Sequence, residues 1–206
     1  MDTNIKDLFS NWKTVPNLLS FLRIIMVPIF AVLFCKEYYA WSVFVLALSG
    51  LSDFFDGKIA RKFNQISALG KILDPCADKL TQITIAIVLY LTFAGSSDEL
   101  VKKFSWIFLV FLIKEAVMVV GAVIMLAAGL RPVAAELPGK IATFAFYLIM
   151  IAIIAFGPDI GIISVGLIPS GLMIALIVIS AILTLVAFFS YLPGVFQQVK
   201  EKKANK

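Results

Sequence analysis

Six apolar stretches separated by short polar breaks organise the chain: Pro16–Cys35, Tyr38–Ile59, Ile72–Ala94, Phe104–Leu130, Ile141–Phe156 and Ile162–Leu192. A bilayer core about 30 Å thick takes roughly 17–25 helical residues, so most of these stretches have the length of one crossing. The last is too long for one. Pro169 and Gly171 predict a break there, with a short lead-in and a membrane helix from Leu172. Ahead of the first stretch, Ile5, Leu8, Phe9 and Trp12 recur at helical spacing. They predict a short N-terminal interfacial helix within residues 1–15, a disordered tail being the alternative. The same residues lack the charged start, apolar run and small-residue cleavage site of a cleavable signal peptide. The expected fold is an all-α integral membrane protein with six transmembrane helices. Its amphipathic N-terminal segment is 1–15, its helical domain 16–195, and its basic, solvated tail 196–206.

Composition agrees with that class. The 206 residues are 61% hydrophobic, and the mean hydropathy is +1.00, which a soluble domain of this length does not need. The net charge of +5 sharpens orientation. Lys6, Lys13, the Lys58–Lys71 loop with Arg61 and Lys62, Arg131, Lys140 and the tail lysines Lys200, Lys202, Lys203 and Lys206 fall on one side, against Lys36, Lys102 and Lys103 on the other. Positive charge accumulates inside, so both termini are expected in the cytoplasm, where the excess also favours anionic headgroups. The basic residues form no stripe interleaved with exposed aromatics, so nucleic acid is not an expected partner. The sequence contains no histidine, which removes Ser–His hydrolases and His-ligated zinc. Cys35 and Cys76 fall near opposite faces, too far apart for a disulfide.

Four carboxylates break the apolar pattern between Ser52 and Leu80: Asp53 and Asp56, three residues apart, and Asp74 and Asp78, four apart. On helices each pair lies on one face. Carboxylates near hydrocarbon need compensating cations or a water-filled cavity, and two such faces together form an acidic cup suited to divalent cations. From Tyr39 to Gly50 a helix rises roughly 18 Å, so Asp53 and Asp56 lie at or just below the headgroups, at lipid-phosphate depth. Gly57 allows a ligand close to the backbone, Arg61 one turn on offers a planar fork for phosphate, and Gly70 allows a turn into the third stretch. Asp74–Pro75 suits the start of a helix, where a missing N–H matters little.

These residues spell S-D-F-F-D-G-K-I-A-R, eight residues, then G-K-I-L-D-P-C-A-D. The run resembles the signature of the CDP-alcohol phosphatidyltransferases, D-x2-D-G-x2-A-R-x8-G-x3-D-x3-D, with Asp53, Asp56, Gly57, Ala60, Arg61, Gly70, Asp74 and Asp78 filling every fixed position. P-N-L-L-S-F-L-R-x4-P in the first stretch extends the resemblance. It implies that Asp53, Asp56 and Asp74 hold two divalent cations, Mg²⁺ or Mn²⁺, with Asp78 contributing to the second. Asp78 is also implied as the base that deprotonates an acceptor alcohol, whose oxygen attacks the lipid-side phosphorus of CDP-diacylglycerol and releases CMP. Asn17, Ser20, Gly57, Ala60, Arg61, Ser67 and Gly70 would line the CDP-lipid. Family members are commonly homodimers and act in phospholipid biosynthesis, here in a bacterial plasma membrane with the site facing the cytoplasm.

Gly139–Thr143, G-K-I-A-T, is similar to the G-K-x-x-T of phosphatidylglycerophosphate synthases and their cardiolipin-synthase relatives. It points first to glycerol 3-phosphate as acceptor, then to phosphatidylglycerol, with inositol phosphate or serine further alternatives. Lys114, Arg131 and Lys140 are candidates for binding the acceptor's phosphate; Lys114, next to Glu115, reads equally as a neutralised pair. In that subfamily an arginine often stands at the position of Lys114, and lysine keeps the charge but loses the bidentate fork. A cation-coupled transporter is the rival class, but its acids would be scattered through the bundle depth rather than gathered near one face.

Overall fold

The computed structural model describes residues 14–62, 67, 69–130, 137–158, 162 and 167–204, with the side chains of 54, 56–62, 71, 203 and 204 outside that set. Residues 1–13 of the N-terminal segment expected to lie in the interface therefore fall outside the described residues, as does Arg131. Among the described residues the structure is helical: α1 (Val15–Cys35), α2 (Tyr39–Lys62), α3 (Gly70–Ala94), the short α4 (Glu99–Phe104), α5 (Ile107–Ala127), α6 (Leu137–Phe156), α7 (Ser170–Ser190) and α8 (Leu192–Ala204). Five described segments are long and apolar enough to cross a membrane: those of α1, α3, α4–α5, α6 and α7–α8. The remaining long helix, α2, runs for 24 residues against α1.

Local chemistry sets the helix ends. Thr14 precedes α1 in an extended conformation and its hydroxyl accepts the Asn17 N–H at 3.4 Å, with Pro16 in the first turn where its absent N–H costs nothing. Two helices close with the same pair of hydrogen bonds. At α1, Tyr38 N–H donates to Leu33 O and Glu37 N–H to Phe34 O. At α5, Leu130 N–H donates to Met125 O and Gly129 N–H to Leu126 O. This closure requires a left-handed residue, and Glu37 (φ 61°) and Gly129 (φ 67°) supply it. Asp98 caps α4 by accepting the Leu100 and Val101 N–H groups, and it also accepts the Ser170 hydroxyl at 2.6 Å, tying that turn to the start of α7.

Two boundaries differ from the sequence expectation. The helix expected from Leu172 begins at Ser170, directly after Pro169. Helix α3 begins at Gly70, because Leu69 O already accepts the Ile72 and Leu73 N–H groups. Pro75 thus lies inside α3 rather than in its first turn, and its ring leaves the carbonyl four residues back without a helical partner. The tail is helical, with α8 running to Ala204, and the Lys202 ammonium donates to Ala128 O at the carbonyl end of α5, where a cation is favoured.

Helix α1 packs on α2 and α3; α3 packs on α5, α2 on α6, and α7 on both α5 and α6. Phe93, Phe108, Phe111, Phe146 and Tyr147 form a continuous file of ring contacts through α3, α5 and α6. Around this centre the surface is apolar, with Leu18, Val32, Phe44, Ile113, Phe144 and Phe189 among the exposed side chains, as a lipid-facing surface requires. Trp41 and Trp106 are exposed near helix starts, and both cysteines are free. Replacing Gly129 by Ala puts a Cβ on a left-handed residue and should lower stability by about 1 kcal/mol, read as a lower unfolding midpoint in detergent; an unchanged midpoint would contradict this closure of α5.

Candidate active site

The acidic stretch is carried by α2 and α3, both packed on α1, and Ser67, between those two helices, meets the start of α1 at Asn17. Asp53 is on α2, while Asp74 and Asp78 follow one another by a turn on α3. Each described carboxylate has a protein partner from another element or turn. Asp53 Oδ1 pairs with Arg23 Nη1 of α1 at 2.6 Å; the guanidinium is buried, at 1% exposure, and the carboxylate side chain is 55% exposed. Asp74 Oδ1 is contacted by the buried Ser20 hydroxyl, which also lies 3.0 Å from Pro16 O. Asp78 accepts from Gln82 Nε2 at 2.9 Å through Oδ2, and from the Tyr147 hydroxyl of α6 at 3.0 Å through Oδ1.

A second network fixes the entry to α3. The Gly70 N–H donates to Ser67 Oγ at 2.9 Å, and the Ser67 hydroxyl donates to Asn17 Oδ1 at 2.8 Å. Asn17 and Ser67 are both buried. A Cβ at residue 70 would stand 2.6 Å from Asn17 Oδ1 and 3.0 Å from Ser67 Oγ. Glycine is required there by close approach, rather than by the turn expected from the sequence alone.

On the other flank of α3, the buried Glu115 carboxylate binds both the Lys79 and Lys114 ammonium groups, through Oε2 and Oε1 respectively. The couple expected from the adjacent Lys114 and Glu115 is thus a triad, clamping α3 to α5 one residue beyond Asp78. Lys140 is exposed at the start of α6. Asp56, Gly57, Ala60 and Arg61 lie on the last turns of α2, with side chains outside the described residues.

The structure therefore joins Asn17, Ser20, Ser67, Gly70 and Asp74 around the first turns of α1 and α3, and pairs Asp53 with Arg23 of α1. It also reveals Arg23, Lys79, Gln82, Glu115 and Tyr147 as parts of the same region. Arg23 had one sequence signal, a lone charge inside an apolar helix, and Gln82 another, its position one turn after Asp78. Tyr147 had none, because its role depends on the packing of α6.

Among the described residues no three acidic or thiol side chains gather tightly enough to hold a metal by themselves. The donors on offer are carboxylate oxygens, the set that suits hard cations such as Mg²⁺ or Mn²⁺. Asp56 comes from the turn after Asp53 and, with Asp74 and Asp78, completes the four carboxylates of the signature.

The family model for CDP-alcohol phosphatidyltransferase matches residues 13–189. A cardiolipin synthase (CMP-forming) of Streptomyces coelicolor is 39% identical over 137 residues, 64% of this chain and 60% of that protein. A putative cardiolipin synthase of Mycobacterium tuberculosis is 37% identical over 134 residues, 65% of this chain and 60% of that protein. A CDP-diacylglycerol–glycerol-3-phosphate 3-phosphatidyltransferase of Cereibacter sphaeroides is 37% identical over 97 residues, 44% of this chain and 42% of that protein. The match thus spans about 60% of the length of the first two relatives.

Two substitutions test the described contacts. Glu115→Ala leaves two largely buried ammonium groups without their carboxylate and should cost about 3–5 kcal/mol, seen as a large fall in unfolding midpoint; a midpoint near wild type would exclude the triad. Gly70→Ala should cost about 1–3 kcal/mol through overpacking against Asn17 and Ser67, and should be relieved when combined with Asn17→Ala. Additive losses in the double variant would contradict the close approach.

Proposed function

Because the chain belongs to the CDP-alcohol phosphatidyltransferase family, we propose that it transfers the phosphatidyl group of CDP-diacylglycerol to an alcohol in phospholipid synthesis, with release of CMP. The observation that carries this reading is that α1 joins signature carboxylates of both neighbouring helices, Asp53 of α2 through Arg23 and Asp74 of α3 through Ser20, at one end of a membrane bundle. Asp53, Asp56 and Asp74 would hold two divalent cations, Mg²⁺ or Mn²⁺, with Asp78 contributing to the second. When bound, these cations supply charge neutralisation for the diphosphate and its leaving group.

Asp78 takes the proton of the acceptor hydroxyl. Gln82 and Tyr147 hold its two oxygens in a fixed orientation, so that the base is preset rather than sampled. The acceptor oxygen forms a bond to the lipid-side phosphorus as the bond between that phosphorus and the CMP oxygen breaks, and CMP departs with the electron pair. Arg61, Gly57, Ala60, Ser67, Gly70, Asn17 and Ser20 are assigned to the CDP end.

For the acceptor we take phosphatidylglycerol first, giving cardiolipin. The relatives matched over 64% and 65% of the chain carry that name, and Lys114, a candidate for gripping a free phosphorylated acceptor, is engaged by Glu115. Glycerol 3-phosphate, giving phosphatidylglycerophosphate, is the second reading, favoured by the name of the Cereibacter sphaeroides relative. The site faces the cytoplasm of a bacterial plasma membrane on the positive-inside argument. A homodimer could pack through the exposed side of α5, where Gly121 has open space over its Cα.

The deciding experiment offers CDP-diacylglycerol and a panel of alcohols to the purified protein and scores both CMP and product lipid. Cardiolipin should form from phosphatidylglycerol only with Mg²⁺ or Mn²⁺, and Asp78→Asn should lower turnover by about 10²–10⁴-fold. Phosphatidylglycerophosphate as the sole product selects the second reading, and no CMP from any alcohol overturns the transferase.

A further inference from the structure

Arg23 is a full positive charge inside an otherwise apolar helix, at 1% exposure, and it meets a carboxylate that is 55% exposed. The pair is asymmetric. Asp53 can be approached by an ion from outside, whereas Arg23 cannot be hydrated where it stands. Arginine also cannot discharge itself by losing a proton, so its charge stays in the cup whenever the side chain does.

We infer that Arg23 is the resident counter-ion of the carboxylate cup: it neutralises Asp53 when no divalent cation is bound and gives that carboxylate up when one binds, turning its planar fork to the donor's diphosphate. This rests on the reading of Asp53 as a metal ligand. A divalent cation at Asp53 would stand beside a guanidinium that is out of water, and like charges sharing one carboxylate repel, so the two exclude each other there. A diphosphate provides the alternative anion, and an arginine fork matches its oxygens. Metal loading and nucleotide binding then favour each other through Arg23, beyond any direct metal–phosphate contact.

The test uses the full chain in detergent, with Mn²⁺ binding followed by electron paramagnetic resonance, with and without CDP. Arg23→Met removes the charge and leaves behind an exposed carboxylate that water can solvate. Without CDP it should bind Mn²⁺ on the order of tenfold more tightly than wild type, and CDP should then tighten binding by a smaller factor than in wild type. Arg23→Lys retains the charge and should keep Mn²⁺ affinity within about threefold of wild type, which provides a second reading if the methionine variant does not fold. Equal or weaker Mn²⁺ affinity in Arg23→Met, or clearly tighter binding in Arg23→Lys, overturns the counter-ion role. Lipid product formed by the wild type alongside either of those results leaves the transferase reading standing. A wild-type protein that neither binds Mn²⁺ nor makes lipid overturns both.

Discussion

Charge held at the edge of hydrocarbon is the constraint on which the rest of this structure depends. A carboxylate there is costly unless something compensates it, and α1 supplies the compensation: Arg23 for Asp53 and Ser20 for Asp74. These two contacts run from one helix to both α2 and α3. They explain why α1, apolar over most of its length, keeps Asn17, Ser20 and Arg23 buried on one side while Leu18, Ile25 and Val32 face outward. The packing of α1 against α2 and α3 is therefore a requirement of the site as much as of the core.

A second consequence concerns the far side of α3. Asp78 is held by Tyr147, and Tyr147 ends the file of rings that runs from Phe93 through Phe108, Phe111 and Phe146. The adjacent Lys79 is fixed to α5 by Glu115. The proposed base thus stands between a rigid aromatic file and an ionic clamp. Such support keeps a catalytic oxygen in place without help from a loop.

The helices were legible in the sequence because a membrane span must satisfy its own backbone over a fixed length. The four aspartates were legible because their spacing matches helix turns and their cost demands a purpose. Ends were less so. Asp74–Pro75 reads as a helix start, yet the Ser67–Asn17 network and Leu69 O begin the helix at Gly70. Ser67 and Asn17 are 50 residues apart in the chain, and no local pattern announces such a contact. For the same reason Tyr147 could not be read, whereas the Lys114–Glu115 pairing could, its members being neighbours. Lys79 as the third member needed the packing of α3 on α5.

The most direct measurement is the phosphorus-31 hyperfine coupling on Mn²⁺ bound to the protein in the presence of CDP-diacylglycerol. A metal held by the α2 and α3 carboxylates next to the donor's diphosphate should show a resolved coupling in the wild type, lost in Asp53→Asn and in Asp74→Asn. A coupling of unchanged strength in both variants, or none in a wild type that is turning over, would contradict a carboxylate-held metal at the diphosphate.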